Sequence, residues 1–140
     1  MERSLILVKP DAVERGFSGA IINRLESTGL KLVALKMLQM DTKLAERHYA
    51  VHKEKPFFAG LVKYITSGPI VAAVFEGKGA VEVIRKKMGA TDPAKAEKGT
   101  IRAEFGQDIE KNAVHGSDSP ANAQQEIKLF FREEEIIART

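Results

Sequence analysis

The strongest constraint on the fold is a run of six successive apolar residues, Ile70-Val71-Ala72-Ala73-Val74-Phe75, bounded by Gly68-Pro69 and Glu76-Gly77. So short a run, rich in β-branched residues, predicts a strand. Its apolarity on both faces predicts a central one, covered from both sides. It falls far below the roughly 18 residues a membrane helix needs. Residues 4–8 (SLILV) predict a second strand, ended by Lys9-Pro10-Asp11 because proline removes a ladder donor. Residues 30–40 and 113–117 predict two more.

Helical stretches separate these strands. Ser18 predicts the N-cap of a helix carrying Ile21, Ile22 and Leu25, with Phe17 and Ile22 as a hydrophobic staple and Gly29 just past the end. Residues 42–51 read as a short helix. Pro56 predicts the first turn of another, with Phe58, Leu61, Val62 and Ile65 on one face. Ala80, Val81, Ile84 and Met88 line a helix that Gly89 ends. Ser119-Pro120 predicts the start of the last, which buries Ala123, Ile127, Phe130 and Phe131. Across residues 90–112 the pattern lapses into a polar segment, and loops of that length in a compact domain are functional or disordered.

The order β-α-β-α-α-β-α-loop-β-α predicts an α+β fold. It is a ferredoxin-like βαββαβ antiparallel four-stranded sheet covered by helices, with a long loop before the last strand. The 140 residues predict a single domain, 1–140, and 44% apolar content can supply its core without metals or disulfides. The absence of cysteine excludes disulfides, thiolate metal sites and cysteine nucleophiles. No leader or membrane span is visible, so a cytoplasmic location is expected. The 22 Lys and Arg against 19 acids give net charge +3 and a pI near 9.2, a mild attraction for anions. No specific nucleic-acid partner is expected, because the strands lack alternating exposed aromatics. A nucleotide needs only a few converging cations.

Three histidines could carry chemistry. His48 and His52 lie four apart, as a metal pair on a helix would, but no third ligand adjoins them and no protein-held metal is expected. His115 sits in Asn112-Ala113-Val114-His115-Gly116-Ser117-Asp118-Ser119, between a strand and a helix start. Its glycine neighbour lets another molecule approach the ring, and the hydroxyls and carboxylate beyond can orient it. A neutral imidazole is a nucleophile near pH 7, since its reference pKa is about 6.5. The same string also reads as a turn histidine before a helix cap, and spacing does not choose. Gly77-Lys78-Gly79 is not a phosphate loop, for nothing matches G-x-x-x-x-G-K-[ST]. A nucleotide enzyme built from this chain must hold phosphates with side chains.

The string Asn112-x-x-His115-Gly116-Ser117-Asp118-Ser119 resembles the active-site signature of the nucleoside diphosphate kinases, in their short, bacterial-type form. So do Val8-Lys9-Pro10-Asp11-Ala12-Val13, His48-Tyr49, Pro56-Phe57-Phe58, Leu61-Val62-Lys63-Tyr64, Ser67-Gly68-Pro69-Ile70-Val71-Ala72, Gly89-Ala90-Thr91-Asp92-Pro93 and Gly99-Thr100-Ile101-Arg102. They stand in the family's order and cover nearly the whole chain.

The resemblance implies ping-pong transfer of the terminal phosphate from a nucleoside triphosphate to a diphosphate, through a phosphohistidine at His115. It implies broad base tolerance and a role in maintaining NTP and dNTP pools. By the same resemblance Lys9, Arg85, Thr91 and Arg102 hold the phosphates, and Lys9 also reaches the sugar hydroxyl. Asn112 binds the ribose, and Tyr49 lies near the transferring phosphate. Phe57 stacks on the base and Ile109 touches it. Ser117 and Glu126 support the histidine through a chain from carboxylate to hydroxyl to imidazole. Plainer readings exist for four of these: a solvated helix face for Arg85-Lys86-Lys87, a surface glutamate for Glu126, half-buried packing for Tyr49, a loop residue for Asn112. Magnesium is implied as the cofactor, carried in by the nucleotide. A homo-oligomer is implied, hexamer favoured over tetramer, with Pro93 matching a proline at a subunit contact. A catalytically silent relative used for assembly has no reason to keep the whole set.

Overall fold

The computed structural model describes residues 1–139. Strands β1 (Glu2–Val8), β2 (Lys31–Leu38), β3 (Ile70–Gly77) and β4 (Val114–Gly116) form one antiparallel sheet in the order β2-β3-β1-β4. This is the expected ferredoxin-like arrangement. The apolar run is buried from Ile70 to Phe75 and lies inside β3, between β1 and β2. Among the described residues β4 pairs only with β1, and the register sets His115 opposite Leu7.

Alternation along the strands feeds two apolar layers. Ile6, Val8, Ala73 and Phe75 pack with Ile21 and Leu25 of α2 (Ser18–Glu26), with Ile84 and Met88 of α5 (Ala80–Met88) and with Ile101. Leu5, Leu7, Ala72 and Val74 pack on the other face with Ala45 of α3 (Thr42–His48), Val62 and Ile65 of α4 (Phe58–Ile65) and Ile127 and Phe130 of α7 (Pro120–Phe130).

Two helices escaped the sequence reading. α1 (Pro10–Glu14) continues directly from the end of β1, and its proline is the first helical residue rather than a mere strand breaker. α6 (Ile101–Phe105) lies inside the segment read as a loop, where the Thr100 hydroxyl caps it by accepting from the Ala103 amide. Two caps moved. Ser18 is the first residue of α2 and Phe17 the cap, without a side-chain hydrogen bond; Pro56 lies in the turn before α4. Ser119 caps α7 as expected, accepting from the Asn122 amide at 3.1 Å. Among the described residues no helix is long and apolar enough to cross a membrane.

Candidate active site around His115

The chain enters β4 through a tight turn. Ala113 is left-handed, with φ 75°, and the Val114 amide donates back to the Asn112 carbonyl at 2.9 Å. Such a non-glycine turn costs on the order of 1–3 kcal/mol and needs outside support. The buried carboxylate of Asp11 supplies it by accepting from the Ala113 amide at 3.1 Å and from the Tyr64 hydroxyl. The Lys9 amide donates to the Ala113 carbonyl at 2.9 Å. The first strand and α1 therefore fix the direction in which β4, and the ring it carries, departs.

His115 Nε2 lies 3.2 Å and 3.3 Å from the two carboxylate oxygens of Glu126, which α7 supplies. Ser117 Oγ donates to the same carboxylate at 2.6 Å and accepts from the Leu5 amide at 3.3 Å. This corrects the expected order of the chain: the carboxylate stands in the middle. Ser117 is fully buried against the Leu5 backbone, so its hydroxyl points into the sheet edge while Glu126 reaches both partners. Burial works against the Glu126 charge, yet hydrogen bonds from His115 and Ser117 outweigh it and hold the carboxyl below its ordinary value. An ionised carboxylate only accepts, so it keeps a proton on Nε2 and leaves the Nδ1 lone pair free. Nδ1 has no partner among the described residues.

His115 opens on a cavity of about 650 Å³, whose walls include Tyr49, Arg85, Thr91, Arg102 and Glu126. Arg102 donates to the Val114 carbonyl at 2.9 Å and the Gly89 carbonyl at 3.2 Å, so its guanidinium is fixed beside the histidine. Burial, then the charge of Arg85, pulls its pKa down to about 10, and it remains a cation at neutral pH. The supposed loop has its purpose here: α6 lifts Arg102 to the wall. The Tyr49 phenol is pushed up to about 12 by burial and keeps its proton.

Other predicted residues stand behind or beside this wall. The Lys9 ammonium donates to Asn112 Oδ1 at 2.9 Å and to the Glu110 carbonyl at 2.8 Å. Burial, then the charge of Arg102, lowers its pKa to about 8. The Asn112 side-chain amide donates to the carbonyls of Thr91 and Ile109 at 3.1 Å and 2.9 Å, tying the two ends of the 90–112 segment together just before β4. Phe57 and Ile109 are exposed, at 50% and 62%, and lie outside the cavity lining.

Sequence reasoning missed Arg47, Asn122 and Gln125 in the lining, and Asp118, read as a carboxylate that could orient the ring, lines the cavity but accepts from Asn122 instead. Helical spacing from Glu126 would have found Asn122, four residues before it. Gly116 has a packing reason as well: a Cβ there would fall 2.8 Å from Met88 Sδ and 3.2 Å from Ile84, so any larger residue would force the buried end of Met88 to shift. His48 is buried under the site, its ring 4.8 Å from that of His115 and nearly perpendicular to it. Its ring also meets Tyr49 and Phe130, and His115 and Glu126, rather than His52, are the ligand-type groups that converge with it.

The family model for nucleoside diphosphate kinase matches residues 2–136. A nucleoside diphosphate kinase of Dehalococcoides mccartyi is 65% identical over 137 residues, covering 98% of this chain and 96% of that protein. The solved structure of the Aquifex aeolicus nucleoside diphosphate kinase superposes with a TM-score of 0.95 at 47% identity, covering 97% of this chain and 99% of the other. The Halobacterium salinarum nucleoside diphosphate kinase, solved in complex with CDP, gives 0.96 at 48% identity, covering 99% and 93%. A histidine held by a carboxylate and facing two arginines, on this sheet, accompanies full-length likeness, and the chain belongs to the nucleoside diphosphate kinase family, enzymes that pass the terminal phosphate of a nucleoside triphosphate to a nucleoside diphosphate.

Proposed function

We propose that residues 1–140 work as one domain in which Nδ1 of His115 carries the phosphoryl group. The Nδ1 lone pair attacks the terminal phosphorus, the bond to the bridging oxygen breaks, and the nucleoside diphosphate leaves with that oxygen. A second diphosphate then attacks the phosphohistidine, restoring the neutral ring. The single observation that carries this reading is the grip of Glu126 on Nε2, which leaves Nδ1 as the free nitrogen at the cavity. Ser117 and Glu126 act as positioning residues.

Phosphoryl transfer demands little of a protein beyond alignment and compensation of charge. Arg102, fixed by two backbone carbonyls, and Arg85, exposed on the cavity wall, face the phosphates as cations; Thr91 and Tyr49 offer hydroxyls, and a lysine could not copy the planar fork of either arginine. Lys9 and Asn112 brace the wall and reach toward the sugar hydroxyls from behind it. Phe57 and Ile109 offer apolar surface to the flat faces of a base. Recognition by faces rather than edges accounts for broad base tolerance and suits an enzyme that balances NTP and dNTP pools.

Magnesium enters as part of the substrate. Of the two carboxylates on the cavity wall, Glu126 is engaged with Ser117 and His115, and Asp118 accepts from the Asn122 amide at 2.6 Å. That is no oxygen cage, so phosphate oxygens and water hold the ion, which offsets the phosphate charge. We place the enzyme in the cytoplasm, as a homo-oligomer and by preference a hexamer. Leu35 and Met37, 51% and 63% exposed on the edge strand β2 beside Ile22, support association.

The test is a two-stage label transfer. Protein incubated with γ-labelled ATP and isolated should carry acid-labile label, and GDP should remove it as labelled GTP. His115→Ala should take up none; uptake and delivery by that variant would refute the assignment.

A further inference from the structure

His48 is a buried group in this region that the phosphoryl reading leaves without work. Its side chain is 1% exposed, and both ring nitrogens are buried without a hydrogen-bond partner. Buried polar atoms of that kind are uncommon and ask for a ligand. The nearest candidates stand around one point. Nδ1 of His48 is 3.9 Å from a Glu126 oxygen, too far for a hydrogen bond, and Nε2 of His115 is 3.2 Å from the same oxygen. One donor atom from each of the three residues lies within 4.8 Å of the others.

We infer that His48, His115 and Glu126 form a binding site for a borderline divalent metal ion of the zinc class, and that its occupancy silences the enzyme. Bonds of about 2.0–2.2 Å from nitrogen and oxygen to zinc place tetrahedral ligand atoms about 3.3 Å apart. The His115–Glu126 separation already matches, and the other two pairs need modest closure. Two imidazoles and one carboxylate are a zinc ligand set, with the fourth position left to water. Magnesium is excluded by the same chemistry, since it wants an octahedron of oxygens. The site is therefore distinct from the ion that accompanies the nucleotide.

The silencing follows from the tautomer. A metal on Nε2 of His115 needs the lone pair there, so the ring proton moves to Nδ1. Glu126 turns from that proton to the metal. Nδ1 then has no lone pair with which to attack phosphorus. This consequence rests on the reading of His115 as nucleophile; metal binding itself does not.

The experiment uses Co²⁺ as a spectroscopic stand-in. Chelator-treated protein is titrated with Co²⁺ while visible absorption is recorded. A single equivalent should raise the intense d–d bands of a low-coordinate ion, and Zn²⁺ should bleach them one for one. The variants H48Q and H115N should each lose the bands. H115N changes a partly exposed side chain and carries the test if H48Q fails to fold. Separately, saturating Zn²⁺ should abolish label uptake from Mg-ATP, and a zinc-selective chelator should restore it. No bands in wild type, or bands that persist in H115N, would overturn the site. Bands together with undiminished phosphorylation in Zn²⁺ would overturn the silencing. An H115A that still takes up label would refute the nucleophile instead, and the cobalt result would stand independently.

Discussion

Replacing Glu126 by glutamine tests the central geometry. The carboxylate accepts from two donors at once, Ser117 Oγ at 2.6 Å and His115 Nε2 at 3.2 Å. An amide has one oxygen and one NH₂. If the oxygen stays with Ser117, the NH₂ faces Nε2, the ring proton moves to Nδ1 and the nucleophile is lost. In a serine-protease triad a wrong tautomer of this kind costs about 10⁴ in rate. The amide can instead turn its oxygen to His115. Ser117 then gives up a hydrogen bond to a charged group, worth about 1.5–3 kcal/mol, and falls back on the Leu5 carbonyl at 3.5 Å. The cheaper route governs, so E126Q should slow phosphorylation roughly 10- to 150-fold, not 10⁴-fold. The argument has a sharper consequence. Ser117→Ala removes the competitor for the amide oxygen, so the double variant S117A/E126Q should phosphorylate at least as fast as E126Q alone. Quenched-flow measurement of labelled phosphoenzyme in a single turnover gives all four rates of the cycle. A fully multiplicative loss in the double variant would refute the tautomer reasoning, as would an E126Q rate within threefold of wild type.

Arg102→Ala should keep the fold and lose roughly 10²–10³ in turnover, as removal of one fixed charge donor does; unchanged steady-state kinetics would contradict its place on the wall. Gly116→Ala should destabilise the protein by about 1–3 kcal/mol in urea unfolding, because the new methyl meets Met88. Tyr64→Phe should cost about 1.5–3 kcal/mol in the same assay by stripping a donor from the buried Asp11 carboxylate. Lys9 has a folded value of about 8 against an ordinary 10.5, so between those pH values the unfolded chain holds a proton the folded one has released. Stability should therefore rise with pH from 8 to 10.5, by on the order of 3 kcal/mol, and Lys9→Met should flatten that limb.

Long-period features of the fold were legible in the sequence, and short ones were not. The runs at Ile70 and Leu5 are long enough to stand out as unbroken apolar stretches, and the apolar faces of α5 and α7 repeat often enough to show a period. α1 has five residues and α6 has five, too few for periodicity to register. Their signals were caps, Pro10 and Thr100, and the pair Ile101 and Phe105 one turn apart. At the site, residue types were readable and their connections were not. Nothing in the spacing of Ser117 and Glu126 says which of them touches the imidazole; that is decided by the Leu5 backbone, over a hundred residues away in sequence. The orphaned ring of His48 was hidden for the same reason: helical spacing suggested His52 as its companion, while the tertiary fold supplied His115.

The three-residue strand that bears His115 owes its position to the opposite end of the chain. Leu5 meets Ser117 across 112 positions, Asp11 meets Ala113 across 102, and Lys9 meets Asn112 across 103. Contacts of such separation close late and slowly. During synthesis, then, the amino-terminal strand keeps one edge unmatched until β4 has left the ribosome. The carboxylate that grips the His115 ring comes later still, on α7, so the site is complete only when nearly the whole chain has been made.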